Sequence, residues 1–293
     1  MIDERPTVSV LVTLFNRERY LAECLQSILD CTFEDFEVII VDDCSSDGSY
    51  QIAKRFSEQD KRFRVYTNQV NLGDYGNRKK AASLSLGKFI KYVDSDDVIY
   101  PHSLGVMVDA MQRKPRIALA LAHSLPEDDQ PYPWILSPTE AYQKQFLGRG
   151  CLSCGPTGAM IRRSAFEEIG GFEPKWGVLS DIDLWYRLAA KWPTALLPPG
   201  LVWWRRHEGQ EYSTGDAAMR YLKNGFELTM TALSDCDCPL GQDDRATAIE
   251  RAKRLHARRL LSLAIKSRDP RSAWQLYVDS KLTVRELMKG WRR

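Results

Sequence analysis

No glycine-rich phosphate loop follows the first strand-like run of this 293-residue chain: TVSVLVTLFN (Thr7 to Asn16) leads straight into RERYLAECL. The dinucleotide and P-loop folds need such a loop to lay backbone N–H groups against phosphate, so both are disfavoured. No stretch approaches the roughly 20 apolar residues that would span a bilayer. The opening MIDERPTVSVLVT carries acids and runs directly into a strand pattern, so no secretory signal is expected and the cytoplasm is the expected compartment. Nor is there a disulfide framework. The seven cysteines (Cys24, Cys31, Cys44, Cys151, Cys154, Cys236, Cys238) form an irregular, odd set that fits reduced thiols. Cys151-x-x-Cys154 and Cys236-x-Cys238 could be imagined as a zinc site. The second spacing is not the usual knuckle pair, however, and none of the four histidines lies close by, so thiol pairs are the favoured reading. Net charge is small, at +2.

That small total hides an asymmetry. Residues 245–293 hold 14 Lys/Arg against 4 Asp/Glu, whereas the rest hold 27 against 35. An acidic body with a basic tail implies two parts with different partners. Hydrophobic content of 44% and charged content of 27% suit a globular protein large enough for a sizeable core.

The most informative stretch is KFIKYVDSDDVIYP (Lys88 to Pro101), a β-prone run ending in Asp94, Asp96 and Asp97. Three carboxylates at a strand end repel one another unless something positive sits among them. A hard divalent cation serving a phosphorylated ligand is the leading candidate, and a solvated acidic turn is the alternative. Around it the chain alternates. Thr7 to Asn16 reads as a buried strand, with Asn16 expected to cap a helix bearing Leu21, Cys24, Leu25, Ile28 and Leu29. FEVIIVDD (Phe36 to Asp43) is a second strand ending in acids, and RFRVYTN (Arg62 to Asn68) a third. Helices are expected around Ile52 to Phe56 and Tyr75 to Leu86. This is the rhythm of an open α/β sheet, in which ligands sit outside the carboxyl ends of the strands. Thr13 to Asn16, Asp42 with Asp43, and Asp94 to Asp97 are therefore expected to line one crevice. Beyond a strand near Ala118 to His123, four prolines (Pro126, Pro131, Pro133, Pro138) mark an excursion, a helix is expected near Ser180, and the pattern past Gly215 turns helical.

The order of SVLVTLFNRERYLAECLQSIL, FEVIIVDDCSSDGS, NLGDYGNRKKAASLSLGKFIKYVDSDD and RRSAFEEIGGFEPKWGVLSDIDLWYRLA resembles the family 2 glycosyltransferases from about Val8 to His207. The resemblance implies a GT-A fold: a Rossmann-like open mixed sheet, mostly parallel, flanked by helices. Residues 1–214 would form this domain, with 1–100 the nucleotide-sugar half and 101–214 the acceptor half, and 215–293 would be a basic helical extension. It implies inverting transfer from a nucleoside-diphosphate sugar, by family frequency UDP-linked, with Mn2+ or Mg2+, as in cell-envelope polysaccharide or glycolipid synthesis. Carried over by position, Thr13, Phe15 and Asn16 meet the nucleoside. Asp43 accepts from the base, flanked by Asp42, and Arg78 lies near the diphosphate in Asn77-Arg78-Lys79, where the family has Ala-Arg-Asn. Asp94-Ser95-Asp96 is the D-x-D motif, with Asp94 beside the donor sugar or ribose and Asp96 on the metal. Asp181 is the catalytic base, although Ser180 replaces the usual glutamate before it, and Asp183 is its competitor. His207 matches a histidine found near metal and diphosphate, or is a structural hydrogen-bonder. Trp176 is an acceptor-side platform or core packing.

The basic tail reads either as helices packed on the body or as a peripheral contact with an anionic membrane on the inner face of the plasma membrane, which would suit a lipid-linked acceptor as well as a saccharide one. Nucleic acid is not an expected partner. Two competing readings remain. A non-catalytic sugar-nucleotide-binding relative is prompted by Ser180 and Lys79. A sugar-phosphate nucleotidyltransferase lacks its glycine-rich, basic N-terminal loop here.

Overall fold

The computed structural model describes residues 5–122, 131–208, 210, 217–266 and 269–291. Strand and helix alternate through β1 (Val8–Leu14), α1 (Glu18–Leu29), β2 (Phe36–Asp42), α2 (Ser49–Gln59), β3 (Phe63–Thr67), α3 (Gly73–Leu84) and β4 (Phe89–Asp94). There follow β5 (Val98–Ile99), α4 (Ser103–Gln112), β6 (Leu119–Ala122), β7 (Trp134–Leu136), α5 (Pro138–Tyr142), β8 (Ala159–Arg162), α6 (Arg163–Glu168), α7 (Ser180–Lys191), β9 (Thr194–Leu197) and β10 (Val202–Trp203). The remainder is helical: α8 (Ala217–Ser234), α9 (Gln242–Ile265), α10 (Pro270–Ser280) and α11 (Val284–Lys289).

An eight-stranded sheet runs β3-β2-β1-β4-β8-β6-β9-β7, and β10 pairs with β5 in a small second sheet. The first four strands are parallel, while β8 runs antiparallel to both β4 and β6. The sheet is thus mixed beyond β4, as a GT-A fold requires. Val8, Val10, Leu11 and Val12 of β1 have no exposed surface, because both faces of this central strand are covered. Each such side chain contributes about 1.5–3 kcal/mol by leaving water.

Register places the strand ends. Leu14 of β1 lies opposite Asp42, and Thr13 lies opposite Asp94. The acids of β2 and β4 therefore flank the end of β1 at one carboxyl edge, as the sequence pattern implied.

Asn16 does not cap α1. It adopts φ 51° and its side-chain oxygen accepts from Ser46 N–H, tying the end of β1 to the loop after β2. The first N–H groups of α1 are satisfied from that loop instead: Arg17 donates to Ser49 Oγ and Glu18 to Asp47. Glu18 returns a bond by accepting from Gly48 N–H at 2.7 Å. The cap is tertiary because residue 16 is spent on turning the chain.

Two compact units emerge. The first comprises Met1–Pro138, Cys151–Lys175 and Ser180–Arg206, the second Thr139–Gly150, Trp176–Leu179 and His207–Arg293. The boundary expected at 214/215, with Gly215, lies outside the described residues, as do His123 and Pro126. Within the second unit Ala257, Leu260, Leu276 and Leu282 form a core, and Arg251 donates to the carbonyls of Leu147 and Gly148. That bond ties α9 to a segment about 100 residues earlier, a link no local pattern discloses. None of the described helices is long and apolar enough to cross a membrane.

Candidate active site

The turn after β4 is held by cations from the chain itself. Asp94 accepts from Arg78 Nη2 at 2.8 Å, and Asp96 lies 3.3 Å from Arg17 Nε. Asp97 is buried; one oxygen accepts from Arg205 N–H at 3.1 Å and the other from Thr157 Oγ1 at 2.7 Å. Arg205 also donates from Nε to the Asp96 carbonyl at 2.8 Å, and its guanidinium pairs with Glu23 of α1. Two of the three carboxylates thus face an arginine from elsewhere in the chain, while Asp97 is held by a backbone N–H and a hydroxyl. Burial, then the nearby Asp94 charge, raises Asp97 above the usual carboxylate range. Ser95, between the acids, is buried.

Thr157, just before β8, braces the same turn from below. Its hydroxyl accepts from Asp94 N–H at 3.0 Å while donating to Asp97, and its carbonyl accepts from Lys91 Nζ. Lys91 is wholly buried in β4, and burial pushes it down to about 8 despite the acids nearby. Neither residue carries a local sequence signal, since each reads as part of a strand or loop.

Arg78 is placed by α3. Its Nε meets Asp74 one helical turn back at 2.9 Å, and Nη2 meets Asp94. Burial works against its charge, but Asp74 and Asp94 outweigh it and hold the guanidinium more firmly protonated than usual. Nη1 is buried with no hydrogen-bond partner. A buried charged donor left unpaired is costly, and such a group is a natural partner for an anionic ligand.

At the end of β2, Asp43 accepts from Asn68 Nδ2 and Leu72 N–H on one oxygen and from Gly73 N–H on the other, at 2.7–2.9 Å. It thereby organises residues 68–73. Asp42 accepts from Ser45 N–H, while its other oxygen is buried without a partner. Phe15 stands 46% exposed beside these acids, and Thr13 is half-buried at the end of β1.

Asp181 sits in the first turn of α7, where its Oδ1 accepts from Ile182 N–H at 2.7 Å. Burial drives it up to about 7, and the Arg78 and Asp94 charges both act on it. The same network includes Cys154, whose thiol is pushed up to about 12 by burial and by the Asp181 charge. Asp183 is engaged elsewhere. It pairs with Arg187 at 2.7 Å, and Arg187 in turn donates to the carbonyls of Ile169 and Gly171. Ser180, where the motif has glutamate, donates its hydroxyl to the Glu173 carbonyl at 2.7 Å.

Two expected site residues belong to the second unit. His207 Nδ1 lies 2.7 Å from the Glu208 carbonyl. Because a carbonyl only accepts, this contact puts a proton on Nδ1. Trp176 is 5% exposed, so both ring faces are covered. All seven cysteines are free thiols, and the one cluster of three metal-capable side chains among the described residues is the exposed Asp235, Cys236 and Asp237.

Known proteins fit this picture. The glycosyltransferase GlyG of Streptococcus pneumoniae serotype 4 is 35% identical over 107 residues, covering 36% of this chain and 36% of GlyG. The chain thus aligns to little more than a third of that relative's length. Among solved structures, S. aureus TarS 1-349 in complex with UDP-GlcNAc superimposes with a TM-score of 0.71 at 17% identity, covering 94% of this chain and 80% of that one. The mannosyltransferase PcManGT from Pyrobaculum calidifontis, in complex with GDP-Man and Mn2+, gives 0.66 at 16% identity, covering 99% and 87%. These two likenesses establish the GT-A fold. The model of glycosyl transferase family 2 matches residues 9–170, more than half of the chain, and the protein belongs to that family.

Proposed function

We propose that this protein is an inverting, metal-dependent glycosyltransferase that moves a sugar from a nucleoside-diphosphate sugar to an acceptor hydroxyl. The observation that carries this reading is the convergence of Asp94, Arg78 and Asp181, with an unpaired guanidinium N–H among them. The donor diphosphate takes the Arg78 Nη1 donor. The nucleoside lies against Thr13, Phe15 and Asn16, with Asp42 and Asp43 beneath it. Three of the roughly four acceptor positions on Asp43 are already used, leaving one for a base N–H. Asp94 and Ser95 border the ribose or sugar.

The donor set suits a Mn2+ or Mg2+ ion. Asp96 offers a hard carboxylate whose contact with Arg17 is long at 3.3 Å. Such an ion supplies Lewis-acid stabilisation of charge on the leaving diphosphate. Asp181, ionised, takes the proton of the acceptor hydroxyl as its oxygen bonds to the anomeric carbon. The bond from that carbon to the diphosphate oxygen breaks on the opposite face, and the configuration inverts. A base poised near 7 is matched to this work, which typically supplies 10²–10⁴-fold. Trp176, at 5% exposure, fits core packing better than an acceptor platform. The UDP-GlcNAc of TarS and the GDP-Man of PcManGT make both nucleotides worth testing. The acceptor is a saccharide or a lipid-linked one, reached from the cytoplasmic side, as in envelope polysaccharide synthesis.

The test is a panel of nucleotide sugars with Mn2+, scored by thermal shift and by release of nucleoside diphosphate, with the product anomer read by NMR. Donor binding without turnover for every sugar, with acceptor mixtures present, would favour the non-catalytic relative instead.

A further inference from the structure

The last two helices carry an exposed surface that the transfer reading does not use. On α10, Trp274 and Val278 stand one helical turn apart, 66% and 53% exposed, with Arg271 and Lys281 continuing the same stripe at either end. On α11 Val284 and Met288 stand one turn apart, 67% and 56% exposed, with Arg285 beside them, and Trp291 just past its end is 65% exposed. Large apolar side chains this exposed on a folded helical unit are the informative exception to ordinary surfaces.

Acids share these helices with the cations. The described acids of this region are all committed: Asp269 caps α10, Asp279 pairs with Lys223, and Glu286 closes the capping box of α11 while pairing with Lys253. No ion pair among the described residues engages Arg271, Lys281 or Arg285. We infer that this surface docks on an anionic lipid bilayer, with the indoles and aliphatic tips in the headgroup boundary and the cations on lipid phosphates. Tryptophan suits that boundary because its body is apolar and its N–H polar. A second copy of the chain fits less well, since a two-fold contact would set these cations against their own copies.

The test is vesicle flotation of the full-length protein. The wild type is expected to float with phosphatidylcholine vesicles containing phosphatidylglycerol, to remain below with phosphatidylcholine alone, and to be released by high salt. Arg271→Gln with Lys281→Gln and Arg285→Gln should lower partitioning by about 100-fold. Trp274→Ser with Trp291→Ser should lower it as well, with unchanged circular dichroism. Equal flotation on neutral and anionic vesicles, or none on either, overturns the inference. So does a wild-type dimer that the tryptophan variant converts to monomer. Asp181→Asn protein should float as the wild type does, so this result and the transfer reading fail separately.

Discussion

An aspartate buried in the first turn of a helix is pulled two ways. The N-terminal N–H groups of α7 favour its charge, and Asp181 accepts one of them, from Ile182. Loss of water opposes the charge more strongly and sets it near 7. Transfer is therefore expected to rise with pH through about 7 as Asp181 ionises, and Asp181→Asn should lose roughly 10²–10⁴-fold in kcat while donor affinity holds. Stability follows the opposite course. A carboxyl whose folded pKa lies above its unfolded value of about 4 binds more protons when folded, so its contribution falls as pH climbs from about 4 to about 7. Asp181→Asn should accordingly melt higher than the wild type at pH 8 and approach it below about pH 4. Equal melting at both would remove the burial argument. Asp183→Asn is expected to break the Arg187 brace, costing about 1–3 kcal/mol in urea titrations, with little change in kcat.

The element scale shows how the D-x-D turn keeps its shape. β4 ends beside β1 with Asp94 opposite Thr13, but the turn beyond it is fixed by Arg17 just before α1, Thr157 just before β8 and Arg205 after β10. Thr157→Val keeps the volume and removes the hydroxyl that joins Asp94 N–H to Asp97. It should destabilise by about 1–3 kcal/mol and raise the metal concentration needed for half-maximal activity. An unchanged metal requirement would reduce Thr157 to a packing residue. The acids themselves were legible because they sit within four residues at the end of a recognisable strand. The groups that hold them were not, because Arg17, Arg78, Thr157 and Arg205 lie far apart in the chain and only the fold assembles them. The same cause moved the α1 cap from Asn16 to Ser49 and Asp47.

At the scale of the whole molecule, ligand binding should report on the site without any knowledge of the acceptor. A correct donor with Mn2+ at about 100 times its dissociation constant adds roughly 2.7 kcal/mol to folding stability, a shift of a few degrees. Chelation by EDTA is expected to abolish that shift and the transfer, and Asp96→Asn should blunt both. A full shift in the presence of EDTA would argue against metal-assisted donor binding.

Sequence alone determined the alternation of strands and helices, the acids at the ends of β2 and β4, and the family, because each is written in contiguous residues whose periodicity or order survives without a structure. Tertiary structure alone decided which arginines pair with Asp94 and Asp96, the burial that raises Asp181, and the engagement of Asp183 by Arg187. Those depend on which distant segments share a low-dielectric neighbourhood, and one-dimensional spacing carries no record of that.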